Sequence, residues 1–308
     1  MSLAFVFPGQ GSQSVGMLKD LAENFSEVNT TFQEASDALG YDLWSLIQEG
    51  PAEKLNSTDV TQPAMLASGV ATWRAWQAKG GALPQVMAGH SLGEYTALVC
   101  AGSLDFVDAV KLVSQRGKFM MEAVPAGTGA MAAILGMDDE TVRQVCLEAA
   151  NGDVLEAVNY NSPGQVVVAG HKSAIERVTV LAKEKGAKRA LELPVSVPSH
   201  CALMKPAAEQ LAEVLSSITI STPSIPVLNN VDVVAAETEA DIKDALKRQL
   251  FNPVRWVDTI EKMTADGVDK VVECGPGKVL VGLNKRINKS MASAALVDTA
   301  SIEAAQNL

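Results

Sequence analysis

The chain has 308 residues, of which 47% are hydrophobic and 20% charged, and it carries a formal net charge of −11 at pH 7. A sequence of this length and composition can bury a large core in one large domain or two smaller ones, which excludes an intrinsically disordered protein. The negative charge argues against a nucleic-acid partner because phosphates would be repelled on average, and any anionic substrate must meet a local positive group.

The cysteines and the apolar runs bear on the cellular compartment. Cys100, Cys146, Cys201 and Cys274 lie far apart and form no Cys-x-x-Cys pair. We therefore expect neither a disulfide framework nor a zinc site. No apolar run approaches the roughly eighteen residues of a membrane span, and the first residues lack the charged lead and cleavage site of a signal peptide. We expect no membrane association and a cytoplasmic location.

The chain opens with a strand-like run, residues 3–7, that leads into a glycine-containing loop, Gly9-Gln10-Gly11. Ser14 stands where a dinucleotide-binding fingerprint needs its third glycine, so the loop does not predict a nucleotide cofactor. A glycine loop at the end of a strand can present an unhindered backbone N–H to the crevice beyond the sheet. The loop is a candidate oxyanion donor, although a plain turn is the more common meaning of such a sequence.

The central motif is the Gly-His-Ser-Leu-Gly sequence of residues 89–93. An apolar run over residues 86–88 predicts a buried strand before it, and the residues after it predict a helix that stops at Gly102. Glycines two positions either side of Ser91 would let the backbone turn sharply and lift the serine hydroxyl towards the positive end of that helix. The pattern can arise by chance in any chain with 23 glycines, but its flanks predict a nucleophile elbow with Ser91 as the nucleophile.

A second helix follows, with Asp105 as its N-cap, and its apolar stripe places Arg116 at the border of the buried face. An arginine in such a position needs a carboxylate partner. The residues leave two alternatives equally open. One is a structural salt bridge within the protein, and the other is the carboxylate of a bound substrate.

The pattern of elements changes over residues 126–196. Strands and helices alternate there in the order βαββαβ, which is typical of a ferredoxin-like unit with helices on one face of an antiparallel sheet. The flanking segments, residues 1–125 and 197–308, alternate helices with strands and end with a strand over 268–273 and one last helix. We predict an α/β protein: a large α/β-hydrolase-like domain with a mostly parallel sheet and its site at the carboxyl edge, plus an inserted ferredoxin-like subdomain.

A serine nucleophile needs a base, and the sequence has three histidines. His90 adjoins Ser91, and its side chain should diverge from the hydroxyl, so we interpret it as orienting or structural. His171 ends a strand of the inserted unit, where a surface role is the common one. His200 remains, at the point where the insert returns the chain to the large domain, and we favour it as the base.

The third member of a triad is missing. In α/β-hydrolases the histidine lies near the C-terminus after an acid, whereas more than a hundred residues follow His200. Ordinary esterase topology is therefore doubtful. A group other than an acid, such as a backbone carbonyl, could orient the imidazole.

Several motifs occur together in one order along nearly the whole chain. They are Phe-Pro-Gly-Gln-Gly-Ser-Gln (7–13), Gly-His-Ser-Leu-Gly-Glu (89–94), Gln-Arg-Gly (115–117), Pro-Ser-His (198–200) and Gly-Pro-Gly (275–277). With these motifs the chain resembles the malonyl-CoA:acyl carrier protein transacylases of fatty acid synthesis and, by extension, the acyltransferase domains of polyketide synthases.

The resemblance implies a role for individual residues. Ser91 would be acylated, His200 would be the general base and acid, and Arg116 would bind the malonyl carboxylate. Backbone N–H groups of Gln10 and Leu92 would form the oxyanion hole. The family's histidine is oriented by a main-chain carbonyl, and the matching position here is Gln249.

The resemblance also implies a ping-pong transfer of malonyl from malonyl-CoA to the phosphopantetheine thiol of acyl carrier protein, with no tightly bound cofactor and no metal. A serine hydrolase or thioesterase of similar architecture is the enzyme alternative, and a non-catalytic scaffold is an alternative of another class. Because the carrier protein is acidic in this family, we predict docking through local basic clusters near the crevice. The candidate clusters are Lys183, Lys185, Lys188 and Arg189, and Lys285, Arg286 and Lys289.

Overall fold

The computed structural model describes residues 2–195 and 197–308. The strands are β1 (Leu3–Phe7), β2 (Val86–Gly89), β3 (Gly129–Leu135), β4 (Leu155–Ser162), β5 (Gln165–His171), β6 (Arg189–Glu192), β7 (Val227–Leu228), β8 (Lys270–Cys274) and β9 (Ala292–Leu296).

The helices alternate with these strands along the chain, and a short 3₁₀ helix spans Ala202–Met204. The α-helices are α1 (Lys19–Asn24), α2 (Ser26–Leu39), α3 (Leu43–Glu49), α4 (Ala52–Leu55), α5 (Thr58–Ala78), α6 (Gly93–Cys100), α7 (Phe106–Ala123), α8 (Asp139–Ala150), α9 (Lys172–Glu184), α10 (Lys205–Ser216), α11 (Glu239–Gln249), α12 (Trp256–Ala265), α13 (Val279–Ile287) and α14 (Thr299–Ala305).

The larger sheet is parallel throughout, in the order β7-β2-β1-β8-β9. Alternate residues of β1 enter two different cores, Phe5 on one face and Val6 on the other, so helices cover both faces of the sheet. Phe7 pairs with Gly89, which brings the carboxyl ends of β1 and β2 side by side. The predicted α/β architecture with a mostly parallel sheet is confirmed.

The C-terminal end differs from the prediction of one last helix after β8. The structure has α13, then strand β9 pairing in parallel with β8, then α14. The sequence of β9 is Ala-Ser-Ala-Ala-Leu, which lacks the β-branched and aromatic residues that signal a strand. Its strand conformation comes from hydrogen bonding to the edge of a sheet that is already formed.

The smaller sheet is antiparallel, in the order β4-β5-β3-β6, and α8 and α9 pack on one of its faces. This is the strand order of a ferredoxin-like unit, and the predicted βαββαβ subdomain is confirmed. All four strands fall within residues 126–196, and we propose this range as the subdomain and residues 1–125 and 197–308 as the large domain. The boundary residue Ser196 lies outside the described residues.

The other face of the smaller sheet packs on the large domain. Met131 and Val167 form an apolar cluster there with Cys201. Strand β4 also bonds directly to the large domain, since the N–H of Tyr160 donates to the carbonyl of Val254 over 3.0 Å and the N–H of Val254 donates to Val158 over 2.8 Å. These contacts fix the smaller sheet as one wall of a cleft whose floor is the carboxyl edge of the larger sheet.

Candidate active site

The tight turn between β2 and α6 holds Ser91 at the bottom of the cleft, with a φ of 51°. A Cβ on Gly89 would lie 1.8 Å from the carbonyl carbon of Gly93, and a Cβ on Gly93 would lie 2.0 Å from the carbonyl oxygen of Phe7. Only glycine fits at either position. A left-handed serine on a strand-to-helix turn has the geometry of a nucleophile elbow.

The hydroxyl of Ser91 reaches His200, with 2.8 Å between Oγ and Nε2. The other ring nitrogen, Nδ1, lies 2.7 Å from the main-chain carbonyl oxygen of Gln249. A carbonyl only accepts, so Nδ1 carries the proton and donates, and the lone pair of Nε2 faces the serine hydroxyl. His200 is 2% exposed, and its backbone N–H donates to Leu250 over 2.9 Å.

The surroundings of His200 keep its imidazole neutral. Burial and then the positive charge of Arg116 lower the pKa of His200 to about 3, against its ordinary 6.5. Both causes disfavour the imidazolium. At neutral pH Nε2 is therefore available to accept a proton from Ser91.

The guanidinium of Arg116 is 1% exposed and is held by two side-chain amides. It donates to Oε1 of Gln62 over 2.8 Å and to Oε1 of Gln249 over 3.1 Å. Within residues 2–195 and 197–308 it forms no ion pair, and its Nε has no hydrogen-bond partner. The described residues therefore provide no structural salt bridge for Arg116. Burial lowers the pKa of Arg116, and a carboxylate arriving in the cleft would relieve that unfavourable burial.

Two backbone N–H groups beside Ser91 are available as hydrogen-bond donors. Gln10 follows β1 and Leu92 follows Ser91, and both residues line the cleft. In the part of the chain that the structure describes, neither N–H has an intramolecular acceptor. Donors of this kind can stabilise the negative oxygen of a tetrahedral intermediate.

The cleft between the two domains has a polar floor and apolar walls. Ser91, His200 and Arg116 lie at the floor. The walls carry apolar side chains from both domains, namely Met131, Val167, Leu193, Val195, Val197, Leu280 and Leu283. Such a lining suits an extended, mostly apolar arm that ends in a reactive group.

The sequence analysis did not identify the buried side chain that hydrogen-bonds to the backbone of the turn around Ser91. Asn230 is fully buried; its Oδ1 accepts from the N–H of Ser91 over 2.7 Å and its Nδ2 donates to Gly89 over 2.6 Å. Gln62, which holds Arg116, was missed as well. A signal for Asn230 existed, because it follows β7 at the same carboxyl edge as the elbow.

The other two histidines have different hydrogen-bond partners from those of His200. His90 lines the cleft, and its Nε2 lies 2.8 Å from Oδ1 of Asn161 on β4, so it bridges the two domains. Burial lowers the pKa of His90. His171 ends β5, where its Nδ1 accepts from the N–H of Val154 over 3.0 Å. Neither ring bonds the serine hydroxyl.

All four cysteines are free. No helix in the described ranges is long and apolar enough to cross a membrane. The same ranges contain no cluster of three or more histidine, cysteine or acidic side chains arranged to hold a metal ion.

Comparison with known proteins gives one consistent family. The acyl transferase domain family matches residues 4–306. A malonyl CoA-acyl carrier protein transacylase from Salmonella typhimurium is 61% identical over 302 residues, 98% of each chain. The crystal structure of an acyl carrier protein S-malonyltransferase from Vibrio cholerae superposes with a TM-score of 0.97 at 61% identity, covering 99% of each chain.

A further solved structure includes a carrier protein. It is a malonyl-transacylase in complex with a type II polyketide synthase acyl-carrier protein. The present chain is similar to that transacylase with a TM-score of 0.99 at 58% identity, covering 100% of this chain and 99% of the other.

Proposed function

The chain belongs to the acyl transferase domain family, and from this premise we propose that it transfers malonyl from malonyl-CoA to the phosphopantetheine thiol of acyl carrier protein. The reaction is a ping-pong transfer through a malonyl ester on Ser91, and it supplies fatty acid synthesis. The acceptor proposal is supported by the carrier-protein complex of a relative that is 58% identical.

One observation carries the choice of acyl group. The cleft that holds the Ser91 hydroxyl also holds a buried guanidinium, Arg116, without an ion-pair partner among the described residues. Malonyl differs from acetyl by one carboxylate, which can accept parallel hydrogen bonds from such a guanidinium. The positive group that an anionic substrate requires in a chain of net charge −11 is thereby supplied inside the cleft.

In the first half-reaction Oγ of Ser91 attacks the thioester carbonyl carbon while Nε2 of His200 takes the hydroxyl proton. The carbonyl oxygen becomes negative and is stabilised by the N–H groups of Gln10 and Leu92. The carbon–sulfur bond then breaks, and coenzyme A leaves as a thiol with the proton from His200.

In the second half-reaction the phosphopantetheine thiol gives its proton to Nε2 of His200 and attacks the carbonyl carbon of the malonyl ester. Collapse of the intermediate breaks the bond to Oγ and returns the proton to Ser91. The carbonyl of Gln249 holds the Nδ1 proton throughout, so Nε2 remains the nitrogen that exchanges protons.

We also propose that the protein acts in the cytoplasm, where free thiols persist and where its four cysteines would stay reduced. Malonyl-CoA acts as a substrate in this scheme and no resident cofactor takes part.

The test is the intact mass of the protein after mixing with malonyl-CoA and then with holo acyl carrier protein. We expect a gain of one malonyl group, lost again as the carrier protein gains it, and no adduct in Ser91→Ala. If the malonyl ester were instead hydrolysed, so that the malonyl group never appeared on the carrier protein, the protein would be a serine hydrolase or thioesterase. An adduct in Ser91→Ala would place the nucleophile elsewhere.

A further inference from the structure

Glu94 is a buried carboxyl group three residues after Ser91 along the chain. It lies in the first turn of α6 and is 2% exposed. One of its oxygens, Oε2, accepts two hydrogen bonds, from the backbone N–H of Asn230 over 2.9 Å and from Nε2 of Gln249 over 2.8 Å. The mechanism above assigns no step to this group, although burying a carboxyl group is costly unless its contacts compensate.

The Gln249 side chain that bonds Glu94 also bonds two other groups of the site. Its Oε1 accepts from Arg116 over 3.1 Å, and its Nε2 donates both to Glu94 and, over 3.1 Å, to the carbonyl of Ser91. The amide has one orientation that satisfies these contacts. If it flipped, an N–H group would face the guanidinium and an oxygen would face Oε2 of Glu94, and both pairs would repel.

We propose that Glu94 is a positioning residue: its Oε2 fixes the side-chain amide of Gln249, and through it the guanidinium of Arg116, in the orientation that receives the substrate carboxylate. The inference rests on the proposed function, because it assigns to Glu94 a share in the choice of malonyl over acetyl. Neither the motif of residues 89–94 nor the elimination among histidines pointed to this role.

Glu94 positions Gln249 through the hydrogen bond that its Oε2 accepts, and this bond does not require the carboxylate to be charged. Burial raises the pKa of Glu94 to about 7, against an ordinary 4.5, while the bond from Gln249 lowers it. Near neutral pH the group is therefore present in both protonation states. Oε2 can accept from Gln249 in either state when the proton sits on the other oxygen.

Three substitutions separate position from charge. Glu94→Gln keeps an acceptor oxygen in place and removes the charge. Glu94→Asp keeps the charge and withdraws the acceptor by about 1.5 Å. Glu94→Ala removes both. Glu273→Gln is the matched control, because Glu273 is another fully buried carboxyl group at the carboxyl edge, and its bonds go to the N–H groups of Leu280 and Val281.

The experiment measures kcat/KM for malonyl-CoA and acetyl-CoA with holo acyl carrier protein. For Glu94→Ala and Glu94→Asp we expect the malonyl value to fall about tenfold to a hundredfold and the acetyl value to fall less, because a misplaced guanidinium affects only the substrate that carries a carboxylate. Glu94→Gln should keep most of the wild-type malonyl-to-acetyl ratio. Glu273→Gln should keep the ratio whatever its effect on thermal stability.

A double-substitution cycle tests the route through Gln249. If Glu94 acts through that amide, Glu94→Ala combined with Gln249→Ala should give a ratio no lower than Gln249→Ala alone. Full additivity would overturn the proposal, as would a wild-type ratio in Glu94→Ala or, should that variant not fold, in Glu94→Asp. Failure of the proposed function has a different signature, because the unsubstituted protein would then show no malonyl transfer, and both inferences would fall together.

Discussion

The imidazole of His200 donates from Nδ1 to the main-chain carbonyl of Gln249 over 2.7 Å, so a peptide group occupies the place that an acid holds in a Ser-His-Asp triad. A carbonyl orients the ring and fixes its tautomer without adding a negative charge beside it. The same residue bonds Arg116 through its side chain. The orientation of the proposed base and the position of the proposed substrate-binding arginine therefore both depend on Gln249.

The base itself is tested by His200→Ala. Transfer should fall by about 10²–10⁴-fold, because the serine hydroxyl is a weak nucleophile without a proton acceptor. Single-turnover formation of the malonyl adduct with malonyl-CoA measures this directly, and His171→Ala, which replaces a histidine that bonds Val154 and does not line the cleft, serves as the comparison. Near-normal acylation in His200→Ala would show that another group takes the proton.

Arg116→Ala should reverse the substrate preference. It removes the donors that only malonyl can use, so malonyl transfer should fall by several orders of magnitude while acetyl transfer holds steady or rises. Arg116→Lys should recover only part, since an ammonium lacks the planar fork. The measurement is kcat/KM for both thioesters. A parallel fall of both activities would mean that Arg116 serves the fold, and selectivity would then need another source.

The carrier protein should dock beside the turn between β4 and β5. The side chain of Lys188 lies against Gly136, whose N–H bonds Gly164 in that turn, and Arg286 donates to the cleft residue Gln165 over 2.6 Å. Basic groups from the two predicted clusters thus flank one edge of the cleft.

Charge reversal at these positions tests the docking. Lys188→Glu and Arg286→Glu should raise the apparent KM for acyl carrier protein and leave that for malonyl-CoA nearly unchanged. Lys111→Glu, on the exposed face of α7, is the control. Equal effects on both substrates would identify the two clusters as general solvated surface.

Glu94→Gln should change how stability depends on pH. Between pH 4.5 and about 7 the folded protein keeps the proton of Glu94 while the unfolded chain releases it, so raising the pH through this window destabilises the wild type. Burial is the main cause, the charge of Asp232 adds to it, and the charge of Arg116 opposes it. Glu94→Gln has no titrating group at this position, so its stability should not fall with rising pH for this reason.

Denaturant unfolding at low and neutral pH measures this difference. The free energy of unfolding of Glu94→Gln, relative to wild type, should rise by up to about 3 kcal/mol from pH 5 to pH 8. His200 acts with the opposite sign, because its lowered pKa makes stability fall as the pH drops, but it is present in both proteins and cancels. A difference that is constant with pH would mean that Glu94 titrates at its ordinary pKa.

The glycines of the elbow should tolerate no side chain. In Gly89→Ala the added Cβ would stand 1.8 Å from a backbone carbon, and in Gly93→Ala 2.0 Å from a backbone oxygen, so each variant should misfold or lose acylation. Gly282→Ala in α13 is the control, because its Cβ meets nothing within 4 Å. That change should stabilise the protein by about 0.5–1 kcal/mol. Thermal midpoints and adduct formation distinguish the two outcomes.

Local patterns were enough to predict much of the fold. The alternation of apolar runs with helical stripes predicts the parallel sheet, and the βαββαβ order predicts the antiparallel subdomain, because side-chain periodicity and turn chemistry act over a few residues. The sequence did not predict strand β9, because its alanine-rich segment lacks the β-branched and aromatic residues that favour a strand. Its conformation depends on the exposed edge of β8, a partner that exists only after folding.

The sequence by itself determined the elbow at Ser91, because the two flanking glycines and the strand-to-helix change act within a few residues. It left the partner of Arg116 open, and only the tertiary structure decided that two amides hold the guanidinium, one of them 133 residues away along the chain. Asn230, 139 residues from the serine that it supports, was likewise invisible to local reasoning. Contacts at such separations follow from how whole helices and sheets pack, which sums many weak interactions across the molecule and leaves no periodic trace in any one segment.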